Sequence, residues 1–159
     1  MAVASSETAA LLNPAFIALV LRRAVEGHLE ASAAPMPLVL AYPISGIALY
    51  PRARDALTNV ITTNVTSWIS RNPRLRAELP PRMASLVPFV NEGLLFGLRA
   101  DIVILSDATL TLGGHGPHKS ARGDSAEVVV TQRAARYLGR WFSQAGSPAT
   151  VLALLGVRP

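Results

Sequence analysis

The chain has 159 residues, a formal net charge of +5 and no cysteine; 50% of its residues are hydrophobic and 16% are charged. Soluble domains carry about 25% charged residues, so the low charge indicates either a large core or apolar surface that a partner covers. The absence of cysteine excludes disulfides, thiolate nucleophiles and Cys-ligated metal sites.

The length predicts a single domain over residues 1–159. The two most apolar windows, residues 9–21 and 38–50, both contain proline and are shorter than the roughly 20 residues that a membrane-spanning helix needs. No secretory signal is visible, because residues 1–10 contain neither lysine nor arginine. We therefore expect a cytoplasmic protein without membrane contact.

The first third of the chain predicts a frayed end, a long helix and a buried strand. Residues 1–8 are small and mostly polar, which is typical of a frayed terminus. Asn13-Pro14 is a helix start, and the helix is expected to run to about residue 31, with Arg22 and Arg23 away from its apolar face. The continuously apolar residues 38–50 predict a strand at 38–42, followed by a tight stretch that enters a helix near residue 51.

The middle of the chain predicts three helices. Residues 52–60 and 63–70 are expected to form two short helices, and Asn72-Pro73 ends the second. Pro80-Pro81 then opens a helix from Arg82 to about Arg99, with a kink at Pro88. Its apolar side chains form one broad stripe, consisting of Met83, Leu86, Val87, Val90, Leu94, Leu95 and Leu98.

The spacing of the apolar residues changes from helix-like to strand-like after residue 100. Residues 101–112 contain two β-rich runs around a central Ser106-Asp107-Ala108, which predicts a hairpin. The glycine-rich residues 113–126 predict a flexible loop. Two further helices follow: the first ends at Gly146, and the second begins at Ser147-Pro148 and ends at Gly156. The expected fold class is α+β, mostly α: a single helical domain with a short β-hairpin, arranged like a winged helix.

No motif predicts catalysis. Residues 113–120 resemble a phosphate-binding loop, but His118 stands where that loop needs glycine, and no helix follows Ser120. His115 and His118 lack a third zinc ligand, and His28 is expected to be a structural imidazole. We expect no catalytic residue, no cofactor and no metal; an enzyme with an unrecognised site is the weakest of three hypotheses.

Arginines concentrate in two regions, and the first suggests a role in DNA binding. Between residues 52 and 82, six arginines stand against two acids, and residues 119–159 carry six basic residues against two acids. A winged-helix DNA-binding protein acting alone is therefore one hypothesis. The alternative is that these arginines only solvate a turn. The candidate DNA-binding residues are Arg71, Arg74, Arg76 and Arg82.

Apolar residues crowd the last 20 positions. Chain ends are usually polar, so an apolar end either docks into the core, which we favour, or is reserved for a partner. The candidate partner-binding residues are Trp141, Phe142, Leu152, Leu155, Val157 and Arg158.

The chain also resembles a known family, the middle components of three-component ABC systems. The resemblance covers nearly the whole length and is most specific in its last two motifs. It is carried by Asn13-Pro14-Ala15-Phe16, the apolar residues 38–50, Trp68 with Asn72-Pro73, Val87-Pro88 with Glu92 and Leu94-Leu95-Phe96, Leu138-Gly139-Arg140-Trp141-Phe142, and Ser147-Pro148-Ala149-Thr150 with the terminal Leu154-Leu155-Gly156-Val157-Arg158-Pro159.

The resemblance implies a non-enzymatic adaptor in a bacterial system that defends against phage and other mobile DNA. Its partners would be an ABC-type ATPase of the SMC/Rad50-like kind, which binds the ATP, and a third component. DNA contact through the complex is compatible with this role. The family supplies no active-site residues.

Overall fold

Helix α2 (Pro14–Ser32) lies at the centre of the computed structural model, which describes residues 6–57 and 63–158. The helix begins as predicted: the Asn13 side chain accepts a hydrogen bond from the Ala15 amide at 2.8 Å, and Pro14 occupies the first turn. Most of α2 is buried, because the long helices α6 (Pro73–Arg99) and α7 (Ala126–Ser143) pack against it.

The other elements are short. They are α1 (Ser6–Leu11), β1 (Met36–Pro37), α3 (Ala41–Ala48), α4 (Pro51–Asp55), α5 (Val65–Arg71), β2 (Val103–Ser106), β3 (Thr109–Leu112) and α8 (Pro148–Leu155). The strands form an antiparallel sheet in the order β1-β3-β2. The fold is α+β and mostly helical, as predicted; the winged-helix arrangement stays a prediction. Most of the expected frayed end and residues 58–60 of a predicted helix lie outside the described residues.

The predicted hairpin is confirmed. Strands β2 and β3 pair with Val103 opposite Leu112 and Ser106 opposite Thr109. Asp107 and Ala108 form the two-residue connection, both with positive φ values of 49° and 57°. Positive φ at both central residues is the type I′ geometry, whose twist matches that of the paired strands.

The buried strand predicted at residues 38–42 is wrong. A 3₁₀ turn (Leu38–Leu40) leads instead into α3, and the two-residue strand β1 lies just before this turn. Pro43 does not break α3, because it lies in the first turn, where backbone N–H groups have no partner within the helix. A helix buried on most sides has a continuous apolar sequence, which periodicity alone does not distinguish from a buried strand.

Helix α6 begins at Pro73 rather than at the predicted Arg82. Asn72-Pro73 does end α5, but Pro73 also fills the first position of α6. Leu75 and Leu79 are buried and extend the apolar stripe of α6 toward its N-terminus. Their burial holds this segment helical, although two prolines follow that cannot donate backbone hydrogen bonds.

Helix α8 begins and ends where the sequence indicated, whereas α7 ends at Ser143, three residues before the predicted Gly146. The Ser147 side chain accepts a hydrogen bond from the Thr150 amide at 3.2 Å, which caps α8. Gly146 and Gly156 have φ values of +93° and +72°, in the left-handed region that glycine adopts without strain.

Helices α2 and α7 contact each other backbone to backbone. A Cβ atom added to Gly139 would lie 2.0 Å from the carbonyl oxygen of Ala24, and one added to Gly27 would lie 2.0 Å from that of Arg136. Each glycine therefore faces the main chain of the other helix. No larger residue fits at either position unless the helices move apart.

Gly139→Ala should destabilise the protein, although alanine is the better helix former by about 1 kcal/mol. The new methyl group would collide with a carbonyl group that cannot rotate away, so we expect the free energy of unfolding to fall by about 2 kcal/mol or more. Urea unfolding measures it. Gly97→Ala is the matched control and should cost less, because its Cβ would lie 3.1 Å from a methyl group of Val103 and 3.3 Å from the Cβ of Ala18, contacts that a shift of a few tenths of an ångström relieves. A Gly139→Ala variant as stable as the wild type would contradict the contact.

His28 lies buried beside this contact, as the structural imidazole that we expected. Its Nδ1 atom is 3.1 Å from the carbonyl oxygen of Ala34 and 3.1 Å from the Ser32 hydroxyl. Burial lowers the pKa of His28 below its ordinary value, and the hydrogen bond to Ala34 opposes this only in part.

This lowered pKa predicts a loss of stability on mild acidification. Below about pH 6.5 the unfolded chain takes up a proton at His28 more readily than the folded protein does, so stability falls as the pH drops toward the pKa of the folded state. Urea unfolding at about pH 7.5 and pH 5.5 measures the difference. His28→Gln should flatten it, and an undiminished pH dependence in that variant would contradict the assignment.

Candidate functional site

The apolar C-terminus docks into the core. Four of the six candidate partner-binding residues are buried, namely Trp141, Phe142, Leu152 and Leu155. The Trp141 ring packs edge-on against Trp68 at 5.6 Å between centroids, and its Nε1 donates to the carbonyl oxygen of Thr63 at 2.6 Å. These side chains thus present almost no surface to a partner, and their role in partner binding stays a prediction.

The remaining two candidates, Val157 and Arg158, lie beside an apolar groove of about 390 Å³ between α6 and the end of α8. The groove is lined by Val39, Tyr42, Pro80, Met83, Ala84, Val87, Leu152, Gly156, Val157 and Arg158. We call it the C-terminal groove. Its walls are mostly apolar, and Arg158 contributes a positive charge.

The end of α8 shapes this groove. Gly156 adopts the left-handed conformation, and the Val157 amide donates to the carbonyl oxygen of Leu152 at 2.9 Å, which closes a Schellman-type cap. The cap turns the chain so that Val157 returns beside Leu152. A Cβ atom on Gly156 would lie 3.6 Å from the Pro80 ring, so the cap rests against α6.

A second apolar surface lies further along α6. Leu95 is 51% exposed and Phe96 is 41% exposed, and together with Pro14 they line a shallow depression of about 520 Å³. We call these three residues the α6 patch.

The predicted stripe on α6 is too broad. Val87 and Leu95 belong to it by sequence, yet both are exposed, whereas Met83, Leu86 and Val90 are buried. The buried line follows steps of three and four residues, and Val87 and Leu95 each lie one position beyond it. This spacing can be read from the sequence, and it would have predicted that Val87 and Leu95 are exposed.

Three of the four candidate DNA-binding arginines lie together. Arg71, Arg74 and Arg76 are exposed where α5 meets α6. Arg74 donates to Glu78 at 2.9 Å, so its charge is partly neutralised. Arg82 makes a different contact: its guanidinium carbon is 4.1 Å from the centre of the Tyr50 ring.

Glu78 joins α6 to the start of α4. Its carboxylate accepts from the Tyr50 hydroxyl at 2.6 Å and from Arg52 at 3.0 Å, in addition to Arg74. These hydrogen bonds, that of Tyr50 most strongly, lower the pKa of Glu78. The carboxylate thus offsets part of the positive charge that the sequence concentrates between residues 52 and 82.

The loop that resembles a phosphate-binding loop is bound through its carbonyl oxygens. Arg23, expected away from the apolar face of α2, is buried and donates to the carbonyl oxygens of His118 at 2.6 Å and Ser120 at 3.2 Å. Arg22 donates to those of Gly113 at 3.1 Å and His115 at 3.2 Å. Phosphate loops bind their ligand through free amide N–H groups, so this arrangement serves packing. The predicted flexibility of the loop stays untested.

Two negative observations concern only residues 6–57 and 63–158. No group of three His, Asp or Glu side chains there is placed to hold a metal ion. None of the helices there has the length and hydropathy needed to span a membrane.

Comparison with known proteins gives one result. A family model described as "ABC-three component (ABC-3C) system Middle Component 3" matches residues 1–159. Neither the curated proteins nor the solved structures include a match to this chain.

Proposed function

The chain belongs to the Middle Component 3 family of ABC-three component systems, and on this premise we propose that it is a non-enzymatic adaptor. It binds an ABC-type ATPase through one surface and the third component of the system through another. It acts in the bacterial cytoplasm, in defence against phage and other mobile DNA. The ATPase partner supplies nucleotide binding, and this chain supplies contact surface.

The observation that carries the proposal is that two exposed apolar surfaces flank one helix. Val87 borders the C-terminal groove, and Phe96 belongs to the α6 patch. They are nine residues apart (96 − 87), which corresponds to about 13.5 Å along the axis of α6, so the two surfaces are separate. A helix with two separate groups of accessible apolar side chains suits a subunit that contacts two partners.

Both surfaces have the composition of protein-binding sites. Groups of exposed apolar side chains next to polar ones mark interaction surfaces more often than scattered single residues do. The low charged fraction of the chain agrees with this assignment, because surface that partners cover needs fewer charges.

The adaptor role predicts that two single variants separate the two contacts. Val87→Asp should weaken binding of one partner and Phe96→Asp binding of the other, each by tenfold or more, because a buried charge without a counterion disfavours an interface. Co-purification of all three components, followed by size-exclusion chromatography with light scattering, measures complex formation.

The control is Ala149→Asp, an exposed change on α8 outside both surfaces, which should leave the complex intact. Both test variants should keep the thermal transition of the wild type, since both positions are exposed. A wild-type chain that elutes alone beside both partners would contradict the adaptor role. So would a complex that neither variant weakens.

A second candidate function is direct DNA binding through Arg71, Arg74 and Arg76. Arg71 and Arg76 make no ion pair with any residue that the structure describes, so both charges are accessible to phosphates. The partial neutralisation of Arg74 and the contact of Arg82 with the Tyr50 ring make this the weaker candidate. The two functions coexist if the adaptor helps to load the ATPase on DNA.

DNA binding of this kind predicts a measurable salt dependence. The logarithm of the affinity should fall by about 0.9 per log unit of salt for each phosphate neutralised, so Arg71→Ala combined with Arg76→Ala should reduce the slope by about two. Fluorescence anisotropy with a labelled duplex measures it, with Arg122→Ala in the exposed 113–125 loop as the control. A flat salt response of the wild type would exclude this function.

A further inference from the structure

A cavity of about 520 Å³ lies between α6, the start of α4 and the junction of α1 with α2. Most of its walls are apolar, with Leu12, Leu49, Leu86 and Phe89 among them. Cavities of about 300–1,000 Å³ with apolar walls and a few polar groups are typical of small-molecule sites. None of these residues lies in the C-terminal groove or the α6 patch, so the cavity is a separate feature.

Arg82 also lines this cavity. Its Nε atom is buried, yet it has no hydrogen-bond partner among the residues that the structure describes. Its guanidinium carbon lies 4.1 Å from the centre of the Tyr50 ring, a cation–π contact that supplies no oxygen acceptor to the N–H donors. A buried donor without an acceptor costs about 1–3 kcal/mol, so a small movement of the Arg82 side chain toward an acceptor in the cavity would remove a penalty that the protein otherwise carries.

The other charge at the cavity is already neutralised. Glu127 lines it, and the Glu127 carboxylate forms an ion pair with Arg54, which also donates to the carbonyl oxygen of Ala48. Arg82 is therefore the one unneutralised charge among the residues that the structure places around the cavity. Arg82 can neutralise one negative charge on a ligand. A second negative charge would have no partner and would be repelled by Glu127, so a ligand with one negative charge is favoured.

We propose that this cavity binds a small monocarboxylate with an apolar tail. Carboxylate oxygens match the planar fork of the Arg82 guanidinium, which donates to both at once. The tail packs against the apolar walls, where burial contributes about 25 cal/mol per Å² of apolar surface removed from water. The proposal depends on the cavity alone and stands independently of the adaptor function.

Octanoate is a suitable probe, and octanol is its uncharged match. Isothermal titration calorimetry on the full chain should show octanoate binding at least tenfold more tightly than octanol. Arg82→Met keeps the aliphatic stem but removes the charge, and should abolish this preference. Arg140→Met, a change of an exposed arginine of α7 that does not line the cavity, should leave it unchanged. Equal binding of the two probes, or an unchanged preference in Arg82→Met, would overturn the proposal.

A second measurement keeps the test decisive if Arg82→Met does not fold. In the wild-type protein, the Nε–H resonance of Arg82 should shift as octanoate is added and stay in place with octanol. A peptide that ends in phenylalanine with a free carboxylate tests the other source of the same chemistry. Binding of that peptide without binding of octanoate would assign the cavity to a protein terminus and overturn the small-molecule proposal.

Discussion

The structure depends on the distance between helices α2 and α7. Gly27 faces the carbonyl group of Arg136, and Gly139 faces that of Ala24, so the two backbones touch with no side chain between them. This close approach positions the rest of α7. Gln132 reaches Arg23 of α2 at 3.2 Å, and Trp141 reaches Trp68 of α5. A wider spacing would separate these pairs, because a packed interior has no free volume to absorb the change.

Helix α6 packs against the N-terminal half of α2 and borders most of the candidate binding surfaces. Gly93 and Gly97 allow it to approach Ile17 and Ala18 of α2 closely. Its buried side chains face the core, while its flanks border the C-terminal groove, the α6 patch and the cavity that Arg82 lines. One helix thus serves both packing and binding. The low charged fraction has two causes, a large core and exposed apolar surface.

The sequence predicted those parts of the fold that local chemistry controls. The caps at Asn13 and Ser147, the left-handed end of α8 at Gly156, and the turn at residues 107–108 all follow from short-range hydrogen bonding and backbone sterics. The prediction failed at residues 38–42 and at the start of α6. In both places, burial against distant helices outweighed the local signals of apolar composition and of proline.

The same division between sequence and tertiary structure applies to the candidate functional surfaces. The sequence by itself determined the fold class, the family resemblance and the position of an apolar C-terminus, because composition and motifs are properties of the chain. Only the tertiary structure decided that Trp141 and Leu155 are core residues, that Val87 and Leu95 are exposed, and that Arg23 is buried. Exposure depends on which distant element covers a side chain, and that partner lies far away in sequence. For the same reason, only the folded protein places Arg82 at an apolar cavity, with its Nε atom buried and without a hydrogen-bond partner among the described residues.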